Sequence, residues 1–100
     1  MLDINKTPND TEMVIALKGR LDTLTAPQLE EELNSATEGA SCLVFDFTEL
    51  EYISSAGLRV LLGAYKMMEE YNGMLIRNVT EPVMDVFEVT GFSDVLDIEK

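Results

Sequence analysis

Two adjacent serines, Ser54 and Ser55, are the residues whose type and position best suit chemistry in this sequence. They follow an apolar segment typical of a strand and precede the helical apolar pattern that begins at Leu58. A serine at such a junction caps the helix, acts as a nucleophile, or accepts a phosphate. The sequence contains no histidine, and Ile53 stands where a nucleophile elbow has glycine, so we expect no enzyme activity.

The first turn of the following helix would favour an anion on Ser55, because its backbone N–H groups lack partners and lie at the positive end of the helix dipole. A phosphate there adds about −1.5 to −2 charges and three acceptor oxygens. Asp46, Glu49 and Glu51 are close in sequence, so the modification would concentrate negative charge locally. Capping and phosphorylation are compatible, since one serine can cap the helix while its neighbour faces solvent.

The strand that positions the serines is predicted at residues 42–47, an apolar run typical of a central strand covered on both faces. Residues 2–6 and 12–18 have strand patterns separated by turn residues, and they predict an antiparallel hairpin. The helix that follows the serines is predicted to run to about Tyr71, and residues 74–76 begin a further strand.

The first helix of the chain has a clear start signal. Thr25 is predicted as its N-cap, with Gln28 three residues later completing a capping box. Leu24 and Leu29 match the positions of a hydrophobic staple across that cap. Gly39 lies just beyond the predicted end of this helix.

A third helix is predicted between Thr80, its candidate cap, and Gly91 at its end. Residues 92–96 predict one short helical turn, and residues 97–99 predict a final edge strand. The resulting order of strands and helices predicts an α/β fold, a mixed central sheet of four to five strands with α-helices packed against it. Sites in such sheets gather at the carboxyl ends of the strands, where the two serines lie.

The composition fits one domain over residues 1–100, with 46% hydrophobic residues and no apolar run of the ~20 residues that a membrane span needs. A net charge of −12 repels nucleic-acid phosphates and anionic lipids, so we expect no nucleic-acid partner and no membrane insertion. The start lacks a signal-peptide pattern and Cys42 is the single cysteine, so we expect a cytoplasmic protein. The residue types also predict no metal site, and the absence of a Gly-x-x-x-x-Gly-Lys run predicts no cofactor.

A longer motif surrounds the two serines. Residues 46–48 (Asp-Phe-Thr) and 52–58 (Tyr-Ile-Ser-Ser-Ala-Gly-Leu) resemble the signature of the STAS domain. Bacterial anti-sigma-factor antagonists share this domain with the tails of sulfate transporters. Residues 19–22 (Gly-Arg-Leu-Asp) resemble the exit of its second strand, and residues 90–92 (Thr-Gly-Phe) resemble its tail. The resemblance spans essentially the whole chain and implies a STAS-like fold.

The resemblance implies a partner-switching function. In this function the unphosphorylated chain binds an anti-sigma factor that is also a serine kinase. This binding frees the sigma factor. Phosphorylation of the serine that matches Ser55 ends this binding, and a serine phosphatase resets the cycle. Ser54 stands where many members have aspartate, which leaves it as a second candidate acceptor, and Ala56 stands where many have serine or threonine. The alternative is a non-switching STAS protein that serves as an accessory subunit of a membrane transport complex.

The candidate partner-binding surface combines the region before the first helix with one stripe of the second. The resemblance implies that the region of Asp22 contacts the kinase, although an Asx-type turn explains this residue equally well. Gly63 permits close approach of a partner or reflects tolerated drift, and Arg59 offsets the acidic surroundings or pairs with a phosphate on Ser55. The predicted partner-binding residues are Asp22, Thr25, Ser54, Ser55, Gly57, Arg59, Gly63 and Lys66.

Overall fold

The computed structural model describes residues 2–36 and 40–99. Its elements are β1 (Leu2–Asn9), β2 (Glu12–Leu21), α1 (Ala26–Ala36), β3 (Cys42–Ile53), α2 (Ser55–Met68), β4 (Met74–Arg77), α3 (Glu81–Thr90) and a short 3-10 helix (Phe92–Asp94). In this part of the chain four strands form one sheet in the order β1-β2-β3-β4, with β1 antiparallel to β2 and the other pairs parallel. The predicted α/β fold with a mixed sheet is confirmed. The predicted role of Gly39 at the end of α1 lies outside the described residues.

The hairpin of β1 and β2 is longer than the predicted strands. Its pairing runs from Leu2 opposite Gly19 to Asn9 opposite Glu12, and the turn contains Asp10 at a φ of 55°. Residues 7–9 therefore belong to β1 rather than to the turn. Proline is tolerated here because β1 is an edge strand, whose outer N–H groups need no partner within the sheet.

Strand β3 is twice as long as the run predicted at 42–47, and it continues to Ile53. Its pairing with β2 slips twice, between Ala16 and Lys18 and again between Gly19 and Arg20, so β3 carries an extra residue at each point. Such bulges re-aim the side chains that follow, and Leu50 and Ile53 are both buried although they stand three residues apart. The predicted strand ends at residue 47 because the continuous apolar run ends there, and the bulges leave no regular alternation in the residues that follow.

The first half of β3 lies in the centre of the core. Leu43, Val44 and Phe45 are all buried, which confirms the prediction of a strand covered on both faces at this end. The ring of Phe47 lies 5.6 Å from that of Phe45 and 6.4 Å from that of Phe87 on α3, between ring centroids. This packing fixes the strand whose far end carries the two serines.

The end of α2 and the start of α3 differ from the predictions. Helix α2 ends at Met68 rather than near Tyr71, whose N–H donates instead to the Met68 carbonyl in a turn (3.0 Å). Thr80 precedes α3 but does not cap it with its side chain, because its hydroxyl donates to the Leu50 carbonyl at 2.9 Å. Gly91 ends α3 in the left-handed conformation, with a φ of 82°, as its position predicts.

The C-terminal segment adds little to the sheet. The predicted helical turn is confirmed as the 3-10 helix, but the edge strand predicted at 97–99 is reduced to one isolated bridge between Ile98 and Ile76. Strand β4 has four residues, so this edge offers a short partner for pairing. None of the helices formed by the described residues is long and apolar enough to span a bilayer.

Candidate functional site

The two predicted serines lie where β3 passes directly into α2. Ser54 is the N-cap: its backbone is extended (φ −102°, ψ 175°) and its hydroxyl oxygen accepts from the Gly57 N–H at 3.4 Å. Its own N–H donates to the Leu21 carbonyl at 2.9 Å, which ties the start of α2 to the end of β2. The structure thus assigns the capping role, which the sequence left open between two serines, to Ser54.

Ser55 is the first residue of α2, and its side chain is exposed. Among the residues that the structure describes, none forms a hydrogen bond with its hydroxyl. The oxygen therefore faces solvent at the end of the sheet where the carboxyl ends of β2 and β3 meet.

Gly57 controls how closely the start of α2 approaches the sheet. A Cβ atom at this position would lie 2.7 Å from Cγ of Leu21 and 2.9 Å from Cγ1 of Ile53, closer than real contacts allow. Gly57 is buried, and its lack of a side chain lets the first turn of α2 pack against the end of the sheet. Its predicted contact with a partner stays a prediction.

The loop between β2 and α1 is held by a compact network around Asp22. The Oδ1 atom of Asp22 accepts from the N–H groups of Leu24 (3.0 Å) and Thr25 (3.1 Å), as in an Asx-type turn. The Thr25 hydroxyl donates to the Arg20 carbonyl at 2.9 Å and accepts from the Asp22 N–H at 2.8 Å. Thr25 is nearly buried, so it supports the loop from inside.

This network overturns two expectations for the start of α1. The capping box of Thr25 and Gln28 is not formed, because the Thr25 hydroxyl is engaged within the loop and the Gln28 amide donates to the Leu2 carbonyl at 3.4 Å. The hydrophobic staple is also wrong: Leu29 is fully buried, whereas Leu24 is 88% exposed. The Asx-type turn points the Leu24 side chain away from α1 and into solvent.

The carboxyl group of Asp22 is held in its charged form. Desolvation by the surrounding atoms raises its pKa, but the hydrogen bonds from Thr25 and Leu24 and the charge of Arg20 lower it by more, so the pKa lies below its usual range. The charged carboxylate is the stronger acceptor. The hydrogen bonds to this carboxylate are therefore at full strength at neutral pH, and they weaken only as acid protonates Asp22.

The Asp-Phe-Thr run of β3 forms a second polar network, on the sheet. Oδ1 of Asp46 accepts from the Thr48 hydroxyl at 2.5 Å, from the Thr48 N–H at 3.0 Å and from the Asn78 amide at 3.2 Å. The Thr48 hydroxyl is the main cause that lowers the pKa of Asp46, against the effect of its partial burial. These bonds satisfy backbone and side-chain groups near the first bulge of β3. Asp46 therefore has a structural role.

The site has an apolar and aromatic rim that the sequence did not reveal. Leu24, in the loop after β2, is 88% exposed, and Tyr52, next to the last residue of β3, is 39% exposed. The Arg20 guanidinium covers the Tyr52 ring at 4.3 Å from its centroid, and Arg20 Nε lies 3.8 Å from Asp22 Oδ2. The sequence did contain one indication that Leu24 is exposed: it lies two residues after Asp22, within the Asx-type turn that this aspartate was predicted to form.

The predicted partner-binding residues of α2 lie on an exposed stripe of the helix, and their contact with a partner stays a prediction. Ser55, Arg59, Gly63 and Lys66 are all exposed and follow one another at helical spacing. A Cβ atom on Gly63 would meet no atom within 4 Å, so core packing does not require a glycine here. The missing side chain leaves the stripe flat at this point. The structure thus brings together Ser54, Ser55 and the α2 stripe, with the Asp22 loop beside them, and it places Thr25 and Gly57 underneath.

In residues 2–36 and 40–99 no three His, Cys, Asp or Glu side chains are grouped closely enough to hold a metal ion.

Comparison with known proteins agrees with this geometry. The sequence profile of the STAS domain matches residues 2–100. The anti-sigma-B factor antagonist of Bacillus subtilis (strain 168) is 33% identical over 98 residues, which cover 97% of this chain and 88% of that protein. The crystal structure of an anti-sigma factor antagonist from Mycobacterium paratuberculosis superposes with a TM-score of 0.89 at 21% identity, covering 98% of this chain and 85% of that one. The phosphorylated form of the Bacillus cell fate determinant SpoIIAA superposes with a TM-score of 0.72 at 19% identity, covering 100% and 92%. The chain therefore belongs to the STAS domain family.

Proposed function

We propose that this chain is an anti-sigma-factor antagonist whose binding is switched by phosphorylation of Ser55. In its unphosphorylated form it binds an anti-sigma factor that is also a serine kinase, and the sigma factor is released. The exposed hydroxyl of Ser55 at the start of α2 is the observation that carries this proposal. The name of the relative that is 33% identical supports the class of partner.

The division of labour between the two serines supports a reversible switch. The kinase transfers the terminal phosphoryl group of ATP to Ser55 Oγ, and ADP and a proton leave. Because Ser54 already caps α2, this modification does not remove the cap from the helix. The free N–H groups and dipole of the first turn favour the added charge, so the fold tolerates the phosphate while the surface changes sharply. A serine phosphatase then restores the hydroxyl.

The rim next to Ser55 gives the partner a preorganised surface. Leu24 is held in an exposed position by the hydrogen bonds of the Asp22 loop, so little conformational freedom is lost when a partner covers it. Tyr52, with Arg20 stacked on it, adds the residue types that most often carry binding energy in interfaces. We infer that the partner buries Leu24 in an apolar pocket while it covers Ser55.

Leu24→Ala is accordingly expected to weaken binding to the anti-sigma factor by about ten- to a hundredfold. Burial of a leucine side chain is worth ~1.5–3 kcal/mol, and ~1.4 kcal/mol is a factor of ten in affinity. Val89→Ala is the matched control, because Val89 is 87% exposed near the C-terminal end of α3. Calorimetric titration should show a change of less than about twofold for this control. Equal affinities of the Leu24→Ala variant and the parent chain would show that Leu24 is not part of the interface.

Release of a sigma factor tests the proposed function itself. A purified complex of the anti-sigma factor with its sigma factor is mixed with the chain, and free sigma factor is followed by size-exclusion chromatography. The parent chain and Ser55→Ala should release the sigma factor, whereas Ser55→Asp should release much less. Ser35→Asp makes the same chemical change on an exposed serine near the end of α1 and should behave like the parent. A complex that stays intact with the parent chain favours the accessory-subunit alternative.

A further inference from the structure

Arg59 lies one helical turn after Ser55 on the exposed stripe of α2. Residues four apart on a helix are neighbours on its surface, and helical side chains lean toward the N-terminus of the helix. A side chain at position 59 can therefore reach back to Ser55 across one turn of the helix. A guanidinium group carries five N–H donors in a planar fork, which matches the oxygens of a phosphate group.

Arg59 has no acidic partner within the described residues. The ion pairs there join Lys6 to Glu32, Lys18 to Glu49, Arg20 to Asp22, and Arg77 to Glu99. Arg20, the other arginine near this end of the sheet, is engaged with the Tyr52 ring as well. Lys66 lies seven residues beyond Arg59 on the same stripe, two further turns away from Ser55. Arg59 is thus, among residues 2–36 and 40–99, a cation without an ion pair that lies one turn from Ser55.

We propose that Arg59 binds the phosphate group of phosphorylated Ser55, across one turn of α2. This inference rests on the proposed function for the presence of that phosphate. In a chain of net charge −12 a further dianion is repelled by its surroundings, and Arg59 offsets this repulsion at its source. The pairing also draws the Arg59 side chain away from any contact with a partner, so phosphorylation alters two positions of the binding surface together.

A phosphate titration tests the pairing without any kinase or partner. Phosphoserine is incorporated at position 55 during translation, and the phosphate pKa is measured by ³¹P NMR. Arg59 favours the dianion and so lowers this pKa; Arg59→Gln should raise it by about 0.3 unit, the size of an exposed one-turn ion pair. Lys66→Gln is the matched control and should change it by less than about 0.1 unit. The difference should shrink in about 1 M salt, which screens exposed charges.

A second readout reports the geometry of the pair. The Nε–H signal of Arg59 should shift downfield on phosphorylation of Ser55, and the same shift should occur in the Lys66→Gln control, where Arg59 and the phosphate are both present. A phosphate pKa that is the same in the parent and Arg59→Gln, with an unmoved Arg59 signal, would overturn the proposal. These outcomes are separable from those for the switch, because absence of Ser55 phosphorylation by the kinase would defeat the proposed function and leave the NMR result standing.

Discussion

Phosphorylation of Ser55 is expected to weaken binding to the anti-sigma factor by about a hundredfold or more. Placing a phosphate inside an interface costs several kcal/mol, because the charge must be desolvated and meets like charges of the acidic chain. Since ~1.4 kcal/mol is a factor of ten, even the lower part of that range gives this loss. The effect is large because Ser55 is exposed on the surface that the partner is proposed to cover.

Variants of Ser55 separate the charge from the loss of the hydroxyl. Ser55→Ala should bind about as tightly as the parent chain and should not respond to ATP. Ser55→Asp places a smaller charge at the same point and should lose part of the affinity. Calorimetry with the purified anti-sigma factor measures all forms, with Ser35→Asp as the control for an added acid elsewhere. Unchanged affinity of both the phosphorylated chain and Ser55→Asp would contradict the proposed switch.

Gly57→Ala is expected to lower the free energy of unfolding by about 1–2 kcal/mol. The new methyl group would stand 2.7 Å from Leu21 Cγ and 2.9 Å from Ile53 Cγ1, so the start of α2 or these core side chains must shift. Overpacking of this kind typically costs ~1–3 kcal/mol, which exceeds the gain of up to ~1 kcal/mol from replacing a helical glycine by alanine. Urea denaturation at neutral pH measures the difference.

Gly63→Ala is the matched control for that prediction. It makes the same change in the same helix, but the new methyl group meets no atom within 4 Å. Only the gain in helix propensity remains, so we expect this variant to be more stable than the parent by about 0.5–1 kcal/mol. Opposite signs for the two variants identify packing at Gly57 as the cause. A Gly57→Ala variant as stable as Gly63→Ala would show that α2 does not depend on close approach to the sheet.

Much of this fold could be predicted from the sequence because local and global signals agree. The apolar run of residues 42–47, the helical spacing after Ser55 and the left-handed Gly91 each correspond to an element or an end of one. The position of the serines between a central strand and a helix also followed from these patterns. A parallel sheet then places them at the end where sites gather.

The parts that could not be predicted depend on contacts that are distant in the sequence. The bulges of β3 arise from its pairing with β2, and no local pattern marks them. Thr25 matched a capping box, but its hydroxyl bonds with the chain that precedes it, and this leaves Leu24 exposed. Gly57 matched the family motif, and only the positions of Leu21 and Ile53 show that it lies beneath the site.

Phosphosite mapping tests the central claim most directly. The parent chain, Ser54→Ala and Ser55→Ala are incubated with ATP and the anti-sigma factor, and intact mass and fragment spectra are recorded. We predict one phosphate per chain, located on Ser55, in the parent and in Ser54→Ala, and none in Ser55→Ala. A phosphate on Ser54 alone, or a parent chain whose mass is unchanged while the kinase phosphorylates a known substrate, would contradict the account.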